Sequence, residues 1–382
     1  VHSTLDVREW LDGLAGQIRP AQRSNPELRA KAIELAEPYD TTHDKVDAIW
    51  RWVMAEVEEG GDITTPATIT LSGRQGNRLV LLRAMFEQVG IASELWLLRD
   101  KFGPTVQPGG DPLVEAYDTV ILAVLQGDQP PLLVSTASEV IPLGYLAPSY
   151  AGGKGLRVQL ERDEGPAGEI DVPTQQPQHR DRRRWELDIQ VGAQGAGKVS
   201  GVLELSGIEA IQWRDAFQQI DADRRPEVFI QAELARIIPG SGMDLDALEV
   251  ENEFDLDLPL RMTFAAHGRN LGVVQSGQLA LLAAAVPIDQ ATMYVRLPER
   301  WSGLVIPYAP RLEAKVTYTL EGRSFAAVPG DVAIEGEFGG YGRKLTAGGV
   351  GKSELVFESW STLDLGVVEV ERYGGLMRFA AQ

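Results

Sequence analysis

Few side chains in this chain of 382 residues are able to do chemistry. There is no cysteine, so composition alone excludes thiol nucleophiles, disulfides, thiolate zinc sites and CxxC redox pairs. The four histidines are His2, His43, His179 and His267. His43 falls in a helix-capping segment, His179 in a proline- and glutamine-rich stretch, and His267 beside Gly268 at an expected strand end. These three read as exposed or capping groups rather than general bases. No HExxH or other paired-ligand spacing occurs, and no metal or cofactor is expected. Ser72 lies outside a GxSxG elbow. Gly195-Ala196-Gly197-Lys198-Val199-Ser200 lacks the Walker spacing and reads as a hairpin turn. The acidic residues Asp244, Asp246, Glu249, Glu251, Glu253, Asp255 and Asp257 fit one solvated face of a strand, with a calcium site as the alternative. Trp185, Trp213, Trp301, Trp360 and Tyr373 stand singly, which favours core packing over a carbohydrate platform.

The elements that must position these groups divide the chain. A length of 382 residues suggests two domains, and 44% hydrophobic with 24% charged residues is the balance of a folded protein. The net charge of −19 repels a phosphate backbone, so nucleic acid is not an expected partner. The one basic run, Arg180-Asp181-Arg182-Arg183-Arg184, reads as a solvated linker or strand start. No window reaches the ~18 apolar residues of a transmembrane helix. The first residues, Val1-His2-Ser3-Thr4-Leu5-Asp6, show no signal pattern, so the expectation is a cytoplasmic chain or one whose leader has been removed.

Apolar residues at helical spacing predict helices over 6–18 and 26–36. Thr41-Thr42-His43-Asp44 opens a third, with Val46, Ile49, Trp50, Val53 and Val57 as its apolar stripe, ending at Gly60-Gly61. A loop over 62–76 leads to a helix over 77–89 closed by Gly90. Strands are expected at 93–98, 117–124 and 132–136, which makes this part α+β. A polar, proline-bearing stretch at 161–184 reads as a linker. Beyond it, strands at 185–191, 198–205, 258–265, 313–320, 332–338 and 354–360 surround helices at 208–220 and 226–238, with a closing helix at 372–381. The expectation is a first domain at 1–160 and a β-rich, sandwich-like domain with a helical insertion at 185–382.

Several of these segments carry a resemblance. They are Leu71-Ser72-Gly73-Arg74-Gln75-Gly76-Asn77-Arg78 after the helix around Trp50, then Val89-Gly90-Ile91-Ala92-Ser93-Glu94-Leu95, Tyr117-Asp118-Thr119-Val120-Ile121 and Leu133-Val134-Ser135-Thr136. Together they resemble the bacterial transglutaminase-like superfamily, with its papain-like fold, in the group of large proteins that join this domain to β-rich regions of unknown role. Gly201-Val202-Leu203-Glu204-Leu205-Ser206-Gly207 and Glu251-Asn252-Glu253-Phe254-Asp255 are similar to that tail. Such enzymes use a cysteine at a helix N-terminus, a histidine on a strand and an aspartate on the next.

Carried over, the cysteine falls on Asn77, the histidine on Thr119 and the aspartate on Ser135. The resemblance therefore implies a degenerate triad and a non-catalytic domain, acting as a scaffold or protein-binding component of a larger chain or envelope assembly, with other proteins as partners. It also implies a bacterial protein of the periplasm or cell surface. The alternatives are peptide or glycan binding in the vestigial cleft, or a hydrolase or acyl transferase in which a serine near the cleft uses His43 as base.

Overall fold

The computed structural model describes residues 6–103, 114–161, 165–286 and 290–381, with Gln178 described in its backbone only. His2 lies outside the described residues. The chain forms two compact units, Val1–Pro177 and Gln178–Gln382.

The first unit begins with helices α1 (Val7–Ala21), α2 (Pro26–Ala36) and α3 (Thr42–Glu56). Asp6, Asn25 and Thr41 cap their N-termini, each side-chain oxygen accepting a backbone N–H of the first turn. The stripe predicted for α3 is buried throughout: Val46, Ile49, Trp50, Val53 and, just past the helix, Val57. The expected loop at 62–76 is not loop alone. It contains helix α4 (Ala67–Gly73), between the two-residue parallel strands β1 (Glu58–Glu59) and β2 (Gln75–Gly76). Seven residues with a mixed Thr/Ser/Gly composition are too short for helical periodicity to declare itself. Helix α5 (Arg78–Gln88) follows, and Gly90 takes the left-handed φ of +73° expected of a residue that ends a helix.

An antiparallel sheet of five strands comes next: β3 (Ser93–Leu98), β4 (Thr119–Gln126), β5 (Gln129–Val134), β6 (Lys154–Val158) and β7 (Gly168–Asp171), in spatial order β5-β4-β3-β6-β7. β7 corrects the reading of 161–184 as linker, and the division between units falls at Pro177/Gln178. Polar composition concealed β7 because it lies at the edge of the sheet with alternate residues exposed.

The second unit is built on one sheet of eight strands. These are β8 (Arg182–Val191), β9 (Gly197–Ser206), β10 (Met243–Glu251), β11 (Leu260–Gly268), β15 (Arg311–Leu320), β16 (Val332–Gly336), β17 (Gly339–Gly348) and β18 (Glu354–Leu363). The order is β10-β11-β9-β8-β15-β18-β17-β16, with only β8 and β15 parallel. Two short ribbons accompany it, β12 (Gly272–Gln275) with β13 (Gln278–Leu281) and β14 (Leu304–Ile306) with β19 (Gly366–Val368). The expected sandwich-like arrangement is thus corrected to a single large sheet with a helical layer. Alternation buries one face, where Trp185, Leu187, Met262 and Phe264 meet Trp213 and Phe217 of helix α6 (Ile208–Gln219). The predicted helix at 226–238 is α7 (Arg225–Phe229) running through a π turn, 230–234, into α8 (Ala235–Ile237). After the one-turn α9 (Ala291–Tyr294), helix α10 (Val370–Ala380) closes the chain, packing Tyr373 and Leu376 onto Leu304, Phe338 and Val368.

Among the described residues no helix is long and apolar enough to cross a membrane.

Candidate functional site

The start of α5 is held from three sides. Gly76 has φ +149°, and a Cβ there would come within 2.2 Å of the Thr70 hydroxyl oxygen, so only glycine fits this turn into the helix. Asn77 then adopts an extended N-cap conformation, φ −79° and ψ 105°, and its side-chain oxygen accepts the Val80 N–H at 3.0 Å. Arg78 reaches back to the end of α3, its Nε donating to the Val57 carbonyl at 2.6 Å and its guanidinium to that of Met54 at 3.2 Å. Glu59 faces the same helix start, accepting the Arg78 N–H at 3.4 Å; burial raises its carboxyl above the usual range against the opposing pull of Arg78.

Thr119 opens β4 opposite Leu98 of β3. Alternation puts its side chain with Trp96, Leu98 and Ile121, whose apolar cluster is completed by Leu146, Ala151 and Val172 and contains no residue of α1 to α5. Helix α5 packs on β3 and β4 across the other face. The Thr119 hydroxyl donates to Tyr150 Oη at 2.8 Å, and Tyr150 donates to the Asp118 carboxylate at 3.0 Å. Burial pushes the Tyr150 phenol up; the Thr119 hydrogen bond opposes this and the Asp118 carboxylate adds to it. Beside this cluster Lys101 donates to the Ala151 carbonyl at 2.9 Å, and burial lowers its ammonium against the pull of Asp100.

Ser135 directly follows β5. Its carbonyl accepts the Trp50 indole N–H of α3 at 2.8 Å, while its hydroxyl accepts the Ala137 N–H at 3.2 Å. The three positions singled out from the sequence therefore each serve a local partner, and no hydrogen bond joins any two of them. The cluster formed instead is Asp118, Thr119 and Tyr150. Asp118 was visible as the neighbour of Thr119, but Tyr150 lies 31 residues further on with no spacing signal to flag it.

The other candidates are also accounted for. Ser72 donates to the Ile69 carbonyl at 3.2 Å within α4, and His43 lies 3.6 Å from Asp44 at the start of α3. His267 is exposed between Asp244 and Asp246, its Nδ1 2.9 Å from the latter. His179 is buried at 9% exposure, which corrects its reading as an exposed linker residue. In the acidic stretch, Asp244 also pairs with Arg269, Glu251 with Arg261 and Glu253 with Arg225, so basic side chains occupy these carboxylates. Among the described residues no group of three or more metal-ligating side chains is gathered.

The basic run is not a solvated stretch throughout. It starts β8, and Arg183 turns inward, where its guanidinium bonds both Glu209 of α6 and Glu233 of the π turn. Trp213 donates to Glu233 at 3.1 Å and the Tyr308 hydroxyl to Glu209. Burial pushes the Glu233 carboxyl up, with Arg183 opposing. Burial and then the Glu209 charge push the Tyr308 phenol far up. Three elements are pinned by one arginine, a structural lock that composition presented as surface charge.

No protein-family model and no curated protein matches this chain. Among solved structures, it is similar to a candidate protease from Parabacteroides distasonis, with a TM-score of 0.54 and 14% identity over 98% of this chain and 56% of that one. The chain thus spans little more than half the length of that neighbour. A candidate cysteine protease from Cytophaga hutchinsonii matches over 32% of this chain and 42% of its own, with 17% identity and a TM-score of 0.23. The first likeness concerns the fold.

Proposed function

We propose that the first unit is a transglutaminase-like scaffold without its reaction, and that the protein works as a non-catalytic, protein-binding component of a larger chain or bacterial envelope assembly. The observation that carries the reading is the state of Asn77. A thiol enzyme needs its nucleophile free at the helix start, where the dipole and unpaired N–H groups favour a thiolate. Here the side-chain oxygen of Asn77 is itself consumed in capping that helix. An amide is no nucleophile, and a threonine hydroxyl donated to Tyr150 is no general base at neutral pH. Ser72 and Ser135, the serines of the hydrolase alternative, have hydroxyls engaged with backbone groups rather than with His43.

Two measurements on the full chain test the reading together. The immobilised protein, presented with solubilised envelope proteins of its source bacterium, is expected to retain a partner that also retrieves it reciprocally, and Ser72→Ala and Ser135→Ala are expected to retain it equally. Turnover of peptide, ester or amine-acceptor substrates that disappears in either variant would overturn the proposal.

A further inference from the structure

The outer face of the eight-stranded sheet carries a feature that the first unit's chemistry does not involve. Of the five aromatic residues singled out in the sequence, Trp301 is 91% exposed, which corrects its reading as a core residue, while Trp185, Trp213 and Tyr373 are buried in cores as expected. Trp360 is not. It projects from β18 to the outer face and lies across Gly340 and Gly342 of the neighbouring β17, so closely that a Cβ on either would come within 2.7 or 2.5 Å of the ring. One face of the indole thus covers backbone, and the half-buried side chain turns the other outward.

Around it the sheet register sets a row of charges. Glu313 stands between Arg184 on one neighbouring strand and Trp360 on the other, which places Arg184 and Trp360 about 10 Å apart. Glu313 is gripped by Arg182 and, at 2.7 Å, by Arg311, whose guanidinium also lies 5.8 Å from the Trp360 ring centre. In the next row Lys344 is opposite Glu358 but bonds to no acid, and Arg184 likewise has no partner among the described residues. Both are exposed. These groups line a trough of about 730 Å³, the size that holds a small organic ligand. It gathers six cations, Arg182, Arg184, Arg311, Lys315, Arg343 and Lys344, against three carboxylates, Glu313, Asp331 and Glu358, in a chain whose net charge is −19.

We infer that this trough binds a carboxylated saccharide, one sugar ring stacking on Trp360 and a carboxylate of the same or the next unit meeting Arg184. A tryptophan face flanked by guanidinium groups suits a ring with an anionic substituent. The grip on Glu313 is itself an example of two arginines reading one carboxylate. The interspersed acids select among anions: they accept hydrogen bonds from hydroxyl groups and repel dense polyanions, which favours a polyhydroxylated ligand with isolated charges over a polyphosphate. The site belongs to the second unit and does not depend on the fate of Asn77.

Calorimetry and tryptophan fluorescence on the full chain, with trigalacturonate as probe, test the inference. The neutral trisaccharide maltotriose and inorganic tripolyphosphate serve as comparisons. Trigalacturonate is expected to bind at least about tenfold more tightly than either, and Trp360→Ala to weaken it by at least about tenfold. Because Trp360→Ala uncovers two glycines and risks the fold, Arg184→Glu and Lys344→Glu, at exposed positions without partners, are expected to give a similar loss with unchanged melting temperature. Absence of trigalacturonate binding, equal binding of maltotriose, tighter binding of tripolyphosphate, or binding indifferent to Arg184→Glu and Lys344→Glu would each overturn it.

Discussion

Asn77 and Val80 stand in the relation of cap and capped: the amide oxygen of one accepts the backbone N–H of the other at 3.0 Å. This gives the position a measurable structural role. Asn77→Ala removes a side-chain acceptor from the first turn and is expected to cost about 1 kcal/mol of stability, while Asn77→Asp and Asn77→Ser, which keep an acceptor, stay within a few tenths of a kcal/mol of wild type. Urea unfolding of the three variants checks the order. Equal stability of Asn77→Ala and wild type would remove the capping role.

The link between Trp50 and Ser135 separates backbone from side chain at a second of the three positions singled out from the sequence. Trp50→Phe keeps most of the buried ring but deprives the Ser135 carbonyl of its donor, and a loss of about 1–3 kcal/mol is expected. Ser135→Ala leaves that carbonyl in place and is expected to change stability by no more than about 0.5 kcal/mol. Thermal melts of the two variants decide it, and the reverse order would show that the Ser135 hydroxyl has a role its hydrogen bond to Ala137 does not describe.

Most of the longer elements were legible because their burial is periodic, the exception being β17, whose glycine-rich sequence carries little apolar alternation. The stripe of α3 and the alternation in β8 and β15 write the inner face directly into the sequence. α4 and β7 were missed for the opposite reason: one is too short to show a period, and the other lies at a sheet edge, where polar residues are tolerated. Arg183 was misread because a charge run carries no mark of which member turns inward; that depends on Glu209 and Glu233, 26 and 50 residues away. Likewise, the segment quoted around Thr119 identified a strand start but not the face to which the side chain points. Pairing with Leu98 fixes that face, and pairing is long-range information.

The arginine lock yields a prediction of its own. Arg183→Met leaves Glu209 and Glu233 buried without their cation and is expected to destabilise the second unit by about 3–5 kcal/mol. Replacing the acids together, as Arg183→Met with Glu209→Gln and Glu233→Gln, is expected to recover part of that loss, because no uncompensated charge remains. A single variant no less stable than wild type in chemical denaturation would contradict the assignment.

Alkaline pH should act through buried phenols. Burial, first, raises Tyr308, Tyr318, Tyr294 and Tyr150 above the ordinary tyrosine value, with the Glu209 carboxylate adding to it at Tyr308. Unfolded tyrosines ionise near pH ~10, so the stability these protons contribute is fully present below that pH and is lost as pH climbs toward the raised folded values. Urea midpoints are expected to fall above pH ~10, less steeply in Tyr308→Phe. Tyrosinate absorbance that develops in the folded wild-type protein at the pH of free tyrosine but is missing from the Tyr308→Phe variant would contradict the shift at Tyr308.

The most direct test of the central claim is intact-mass analysis of the full chain after exposure to a panel of acyl-hydrolase reactive probes. The account predicts no covalent adduct on the wild-type protein. An adduct that forms on wild type and is lost in Ser72→Ala or Ser135→Ala would show a working nucleophile and contradict it.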